Sequence, residues 1–149
     1  MQDFCKEVCV DNVKDAMRAV DLGANRIEYC SKLSEEGLTP DIEDVKYLLK
    51  NINIPLRIMI RPHSKSFNYS EQDISTILRD ISTFKKIDID GIVIGCLNND
   101  DEIDLKKVNL LTEKARPLKV IFHKAIDITS NPIKSLKNLI KNSNVDGVL

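Results

Sequence analysis

Polar and apolar residues alternate in several short stretches of this chain, and stretches with helical spacing separate them. In Phe4 to Val10, reading FCKEVCV, a period of two puts Cys5, Glu7 and Cys9 on one face and Phe4, Val8 and Val10 on the other. Arg26 to Cys30 repeats the pattern, with Arg26, Glu28 and Cys30 opposite Ile27 and Tyr29. If these two strands pair in parallel, about 4.8 Å apart, Glu7 is expected beside Glu28 and Cys9 beside Cys30. Leu56 to Arg61 sets Leu56, Ile58 and Ile60 against Arg57, Met59 and Arg61, and Leu118 to His123 forms a fifth strand. The fourth, Gly91 to Gly95, is apolar on both faces, and its glycines predict close packing. Between them, Val13, Ala16, Met17 and Val20 recur at helical spacing after a cap at Asp11 or Asn12 and before a stop at Gly23. Further helices are expected from Asp41, from Ser70 with Asp73 as a capping box, around Leu105 to Ala115, and from Asn131–Pro132. Asp146 to Leu149 begins a sixth strand.

Strands alternating with helices of about 10 to 15 residues predict βαβ units, a parallel sheet and right-handed crossovers. No linker or low-complexity segment divides the chain, so residues 1–149 are read as a single α/β domain. A parallel strand covered on both faces normally reads as a continuous apolar run. Here one face instead gathers Glu7, Cys9, Arg26, Glu28, Arg57, Arg61, Lys119 and His123. Charges so placed are costly in a sealed core unless paired, which points to the open interior of a barrel. In a (β/α)₈ barrel the C-terminal strand ends form the active face, and Cys9, Cys30, Arg61 and His123 fall there.

Composition narrows the class. The 149 residues are 42% hydrophobic and 30% charged with a net charge of -1, ordinary for a globular domain. Acidic and basic residues are interleaved, so a nucleic-acid or anionic-membrane partner is not expected. No stretch approaches about 18 uninterrupted apolar residues, and the N-terminus lacks a signal-peptide pattern. A cytoplasmic location is expected. Its four cysteines then read as free thiols, metal ligands or redox groups before a disulfide framework. The acidic run within Asn98 to Asp104 reads as solvated loop, because the glycine and terminal glutamate of an EF-hand are absent.

Five motifs, EVCVD from Glu7, RIEYCSKLSEEGLTP from Arg26, IRP from Ile60, FNYS from Phe67 and FHKAID from Phe122, resemble in order and spacing the copper homeostasis protein CutC family. The resemblance covers essentially the whole chain and implies a TIM-type barrel, cytosolic copper handling, and copper ligands at Cys9 and Cys30. Four departures stand out. The loop after the third strand reads RPHSKSF in place of the family's RPRGGDF, Lys124 replaces an arginine, and Glu36 replaces the first glycine of a pair. Length is the largest, since the chain holds about five and a half βα units of the eight in a barrel.

Two functional classes remain open. In the first, Cys9 and Cys30 bind Cu(I) as thiolates, without turnover, since soft sulfur ligands select that ion; the plainer reading is two small residues at the rim of a core. In the second, a barrel enzyme acts on a small anionic metabolite, phosphorylated or carboxylated. Glu28 or His123 then moves a proton, and Glu7, Arg26, Arg61 and Asp127 bind substrate. Against this, the arginines can neutralise Glu7 and Glu28 in a purely structural network, and His123 can be simply hydrogen-bonded. Cys5 and Cys96 read as packing. The incomplete barrel leaves the first and sixth strands as open edges, which predicts either a homo-oligomer through those edges or a fragment or degenerate form of a longer protein.

Overall fold

Each predicted strand and helix is present in the computed structural model, which describes residues 4–149. The strands are β1 (Glu7–Val10), β2 (Arg26–Tyr29), β3 (Leu56–Met59), β4 (Gly91–Ile94), β5 (Lys119–Phe122) and β6 (Gly147–Val148). The helices are α1 (Val13–Asp21), α2 (Ile42–Asn51), α3 (Glu71–Phe84), α4 (Leu105–Ala115) and α5 (Pro132–Asn142). Local chemistry sets their starts: the side chains of Asn12, Asp41, Ser70, Asp104 and Asn131 each accept a backbone N–H in the first turn. At Ser70 the capping box is complete, with Asp73 accepting the Ser70 N–H at 2.9 Å.

All five strand pairs are parallel, and the sheet order is β1-β2-β3-β4-β5-β6. A sequential order has no switch point, so right-handed crossovers put every helix on the same face and the sheet curls around the other. The result is an α/β, TIM-type barrel that is incomplete. Between sheet and helices lies the main core, built on Ile27, Tyr29, Leu56, Ile58, Ile92, Ile94, Val120 and Phe122. On the inner face Cys30, Met59, Val93 and Ile121, one from each of four successive strands or their ends, form a second apolar layer. Met59 is in register with Val93, and Val93 with Ile121.

Below that layer, at the N-terminal strand ends, charges close the interior. Glu7 Oε2 accepts from Arg26 Nε at 2.8 Å and from Arg57 Nη1 at 3.3 Å. Arg57 Nε reaches Asp90 at 3.0 Å, and Lys119 Nζ lies 3.4 Å from the other oxygen of Asp90. The structural network anticipated for the arginines forms in part: Arg26 and Arg57 neutralise Glu7, whereas Arg61 and Glu28 make no ion pair among the described residues.

Two expectations are corrected. Glu7 is in register with Arg26, and Cys9 with Glu28, so Glu7 is not opposite Glu28 nor Cys9 opposite Cys30. A slide of two residues preserves every face, which is why alternation does not exclude it, and it exchanges a like-charged neighbour for an ion pair. Cys5 is not packing: it precedes β1 and is exposed, as is Phe4, whereas Cys96 is buried in the main core.

Candidate functional site

Above the inner apolar layer, at the C-terminal strand ends, the sheet opens into a cavity of about 340 Å³. Cys9, Glu28, Met59, Arg61, Phe67, His123 and Lys124 are among the residues that line it. Strand ends deliver the first four and His123, while the loops after β2 and β3 form the walls.

Arg61 organises those loops. Its backbone is latched by Thr39, whose Oγ1 accepts the Arg61 N–H at 2.9 Å and whose N–H reaches the Arg61 carbonyl at 2.9 Å. Its Nη1 donates to the carbonyls of Glu35 at 3.0 Å and Gly37 at 3.1 Å, tying down the loop after β2. Gly37 turns with φ 87°, and a Cβ there would lie 3.3 Å from Cys30 Sγ. Glu36 adopts φ 67° and ion-pairs with Lys124 at 2.7 Å on the rim. The guanidinium stacks 4.7 Å from the centre of the Phe67 ring. Arg61 is only 2% exposed, and its Nε has no partner.

His123 stands on Gly95, where a Cβ would lie 2.2 Å from the imidazole Cε1, so only glycine leaves room for the ring. Its Nδ1 accepts the Ala125 N–H at 3.2 Å, which puts the ring proton on Nε2. Nε2 is buried without a partner. Burial, then the positive charge of Arg61, lowers the His123 pKa to about 3. At neutral pH the residue is an uncharged hydrogen-bond donor.

The thiols occupy the β1–β2 corner. Cys9 Sγ lies 3.7 Å from Glu28 Oε1, and Cys30 Sγ 3.6 Å from the Val10 carbonyl. Cys9 is exposed and Cys30 buried. They interact directly: the hydrogen bond from Cys9 lowers the Cys30 pKa, and its counterpart, with burial, raises that of Cys9. Burial and then the charge of Glu7 raise the pKa of Glu28.

Of the residues singled out from sequence, the cavity collects Cys9, Glu28, Arg61 and His123, with Cys30 directly beneath Gly37. Glu7 and Arg26 lie at the opposite strand ends, and Asp127 sits exposed in a 3-10 turn, Lys124–Ile128, outside the lining. Sequence reasoning did not single out Phe67 or Met59 as site residues. Phe67 stands in the FNYS motif and Met59 on the polar face of its strand, so both signals were present. Among the described residues no group of three or more His, Cys, Asp or Glu is arranged to hold a metal ion. No helix is long and apolar enough to cross a membrane.

The profile of the CutC family matches residues 4–149. The chain belongs to the CutC family. It is 40% identical over 137 residues to the human copper homeostasis protein cutC homolog, covering 92% of this chain and 50% of that protein. A CutC family protein of Mesorhizobium japonicum is 38% identical over 135 residues, 91% of this chain and 52% of that one. The solved structure of the CutC protein of Streptococcus agalactiae superimposes with a TM-score of 0.83 at 28% identity, over 93% of this chain and 69% of that one. The chain spans about half the length of the curated relatives it matches.

Proposed function

We propose that this CutC-family chain takes part in cytosolic copper homeostasis by binding Cu(I) between Cys9 and Cys30. The observation that carries this reading is the placement of two free thiols, Cys9 and Cys30, at the C-terminal ends of the neighbouring strands β1 and β2. Two soft sulfur donors on neighbouring strand ends suit a soft monovalent ion, and the metal takes the place of the thiol protons. Cys9 faces solvent, which gives the ion an entry, while Cys30 anchors it against the inner apolar layer. Free thiols also suit a reducing compartment. The human relative is named as a copper homeostasis protein homolog, which supports the same reading.

Anaerobic Cu(I) titration against a competing chelator tests it. The wild-type chain should take up one equivalent with an affinity that rises with pH, because binding displaces protons. Cys9→Ser and Cys30→Ser should each weaken uptake by orders of magnitude. Equal affinity in wild type and both variants removes the site.

A further inference from the structure

Copper accounts for the thiol corner of the cavity and leaves its other half unexplained. The sheet's other inward arginines, Arg26 and Arg57, each meet a carboxylate. Arg61, 2% exposed, makes no ion pair among the described residues and spends its Nη1 on two loop carbonyls. A buried guanidinium without a counter-charge is costly, and a bound anion would remove that cost. A second group points the same way: His123, which lines the same cavity and is also 2% exposed, has a buried, unpartnered Nε2–H while Nδ1 is occupied by Ala125. Two buried side chains on the same cavity thus each hold a donor in reserve. Unpaired buried donors are rare enough in folded proteins to call for a partner.

We propose that this cavity binds a small organic carboxylate, with Arg61 and His123 holding its oxygens and Met59, Phe67 and Leu33 covering its apolar body. The volume, about 340 Å³, lies at the lower end of the range for small-molecule sites. One fixed positive charge with a neutral N–H donor matches one carboxylate, and the guanidinium fork suits its planar oxygens. A dianionic phosphate would need a second free cation, and Lys124 is engaged by Glu36 at 2.7 Å. It would also favour a glycine-built nest of backbone N–H groups, and the loop at His63 to Ser66 contains no glycine. Of the two acids on the same cavity, Glu28 is in contact with the Cys9 thiol and Glu36 is paired with Lys124. The proposal does not rest on the copper reading: Cys9 lines the cavity, but the groups assigned to the carboxylate are Arg61 and His123.

Nitrogen-15 NMR of the metal-free protein follows the Arg61 Nε–H and His123 Nε2–H signals directly while sodium benzoate, neutral benzamide and inorganic phosphate are titrated in turn. Benzoate should shift both signals saturably, with benzamide and phosphate at equal concentration producing no saturable change. Arg61→Gln should weaken benzoate binding by about tenfold or more, the loss of a charged hydrogen bond, and Arg61→Lys by less. Because the titration is run on metal-free protein, benzoate binding is read separately from any failure of copper binding. No saturable benzoate shift in the wild type overturns the proposal, whatever the variants do. So does benzamide binding as well as benzoate, or phosphate binding in preference to it.

Discussion

Gly95 and His123 form a single unit, because the imidazole rests where any Cβ at 95 would be. Gly95→Ala should therefore expel the ring and cost about 1 to 3 kcal/mol, the range for overpacking a core, measured by urea unfolding. The variant should also move the His123 ring signals toward those of a solvated imidazole, which a merely local backbone effect would not do. His123 carries a pH dependence as well. Its folded pKa, about 3, lies below the ordinary 6.5, so the unfolded chain binds the extra proton first. The stabilisation is complete above pH 6.5 and is lost as the pH falls toward 3, at about 1.4 kcal/mol per pH unit. His123→Gln should flatten that slope in urea midpoints taken across the range; an unchanged slope would mean that other groups set the acid limit. The sequence pointed to His123 by its strand-end position, but not to its tautomer, which depends on the Ala125 N–H across a turn that alternation does not describe.

At the scale of elements, caps and hydrophobic periods were legible because both are local. Ser70→Ala should cost about 1 kcal/mol with an unchanged m-value, since it removes the hydroxyl half of the capping box while leaving α3 itself intact. What the sequence could not supply was the register between β1 and β2, because sliding by two residues changes partners without changing faces. Glu7 and Arg26 each begin a strand, so they lie at the N-terminal ends away from the candidate site, and the slide pairs them there in the charged closure. There Glu7 serves two guanidiniums through the same oxygen, and the side chain of Arg57 is 9% exposed. Glu7→Gln should destabilise the fold by about 2 kcal/mol, as expected for neutralising the shared partner of half-buried charges. Cu(I) affinity measured on the same variant should hold if the network is scaffold. A selective loss of copper binding without loss of stability would instead tie Glu7 to the site, through the charge it exerts on Glu28.

For the whole molecule, the sequential strand order distributes stability unevenly. β2 to β5 are each paired on both sides, whereas β1 has only β2 and β6 only β5 among the described residues. The barrel class was legible from the polar inward face, since charges such as Arg57 and Glu28 require an interior that closes around paired groups. The two unpaired edges present free backbone donors and acceptors, which a second strand can satisfy. Amide hydrogen exchange on the 149-residue polypeptide should therefore find β3 and β4 protected to the level of global unfolding, with β1 and β6 opening far more readily. Edge pairing between copies is a mass-action effect, so protection in β1 and β6 should rise with protein concentration while that in β3 and β4 stays constant. Exchange in β1 and β6 that is slow and independent of concentration would refute association through the edges, and would mean that the curled sheet holds its outer strands by their side-chain contacts alone.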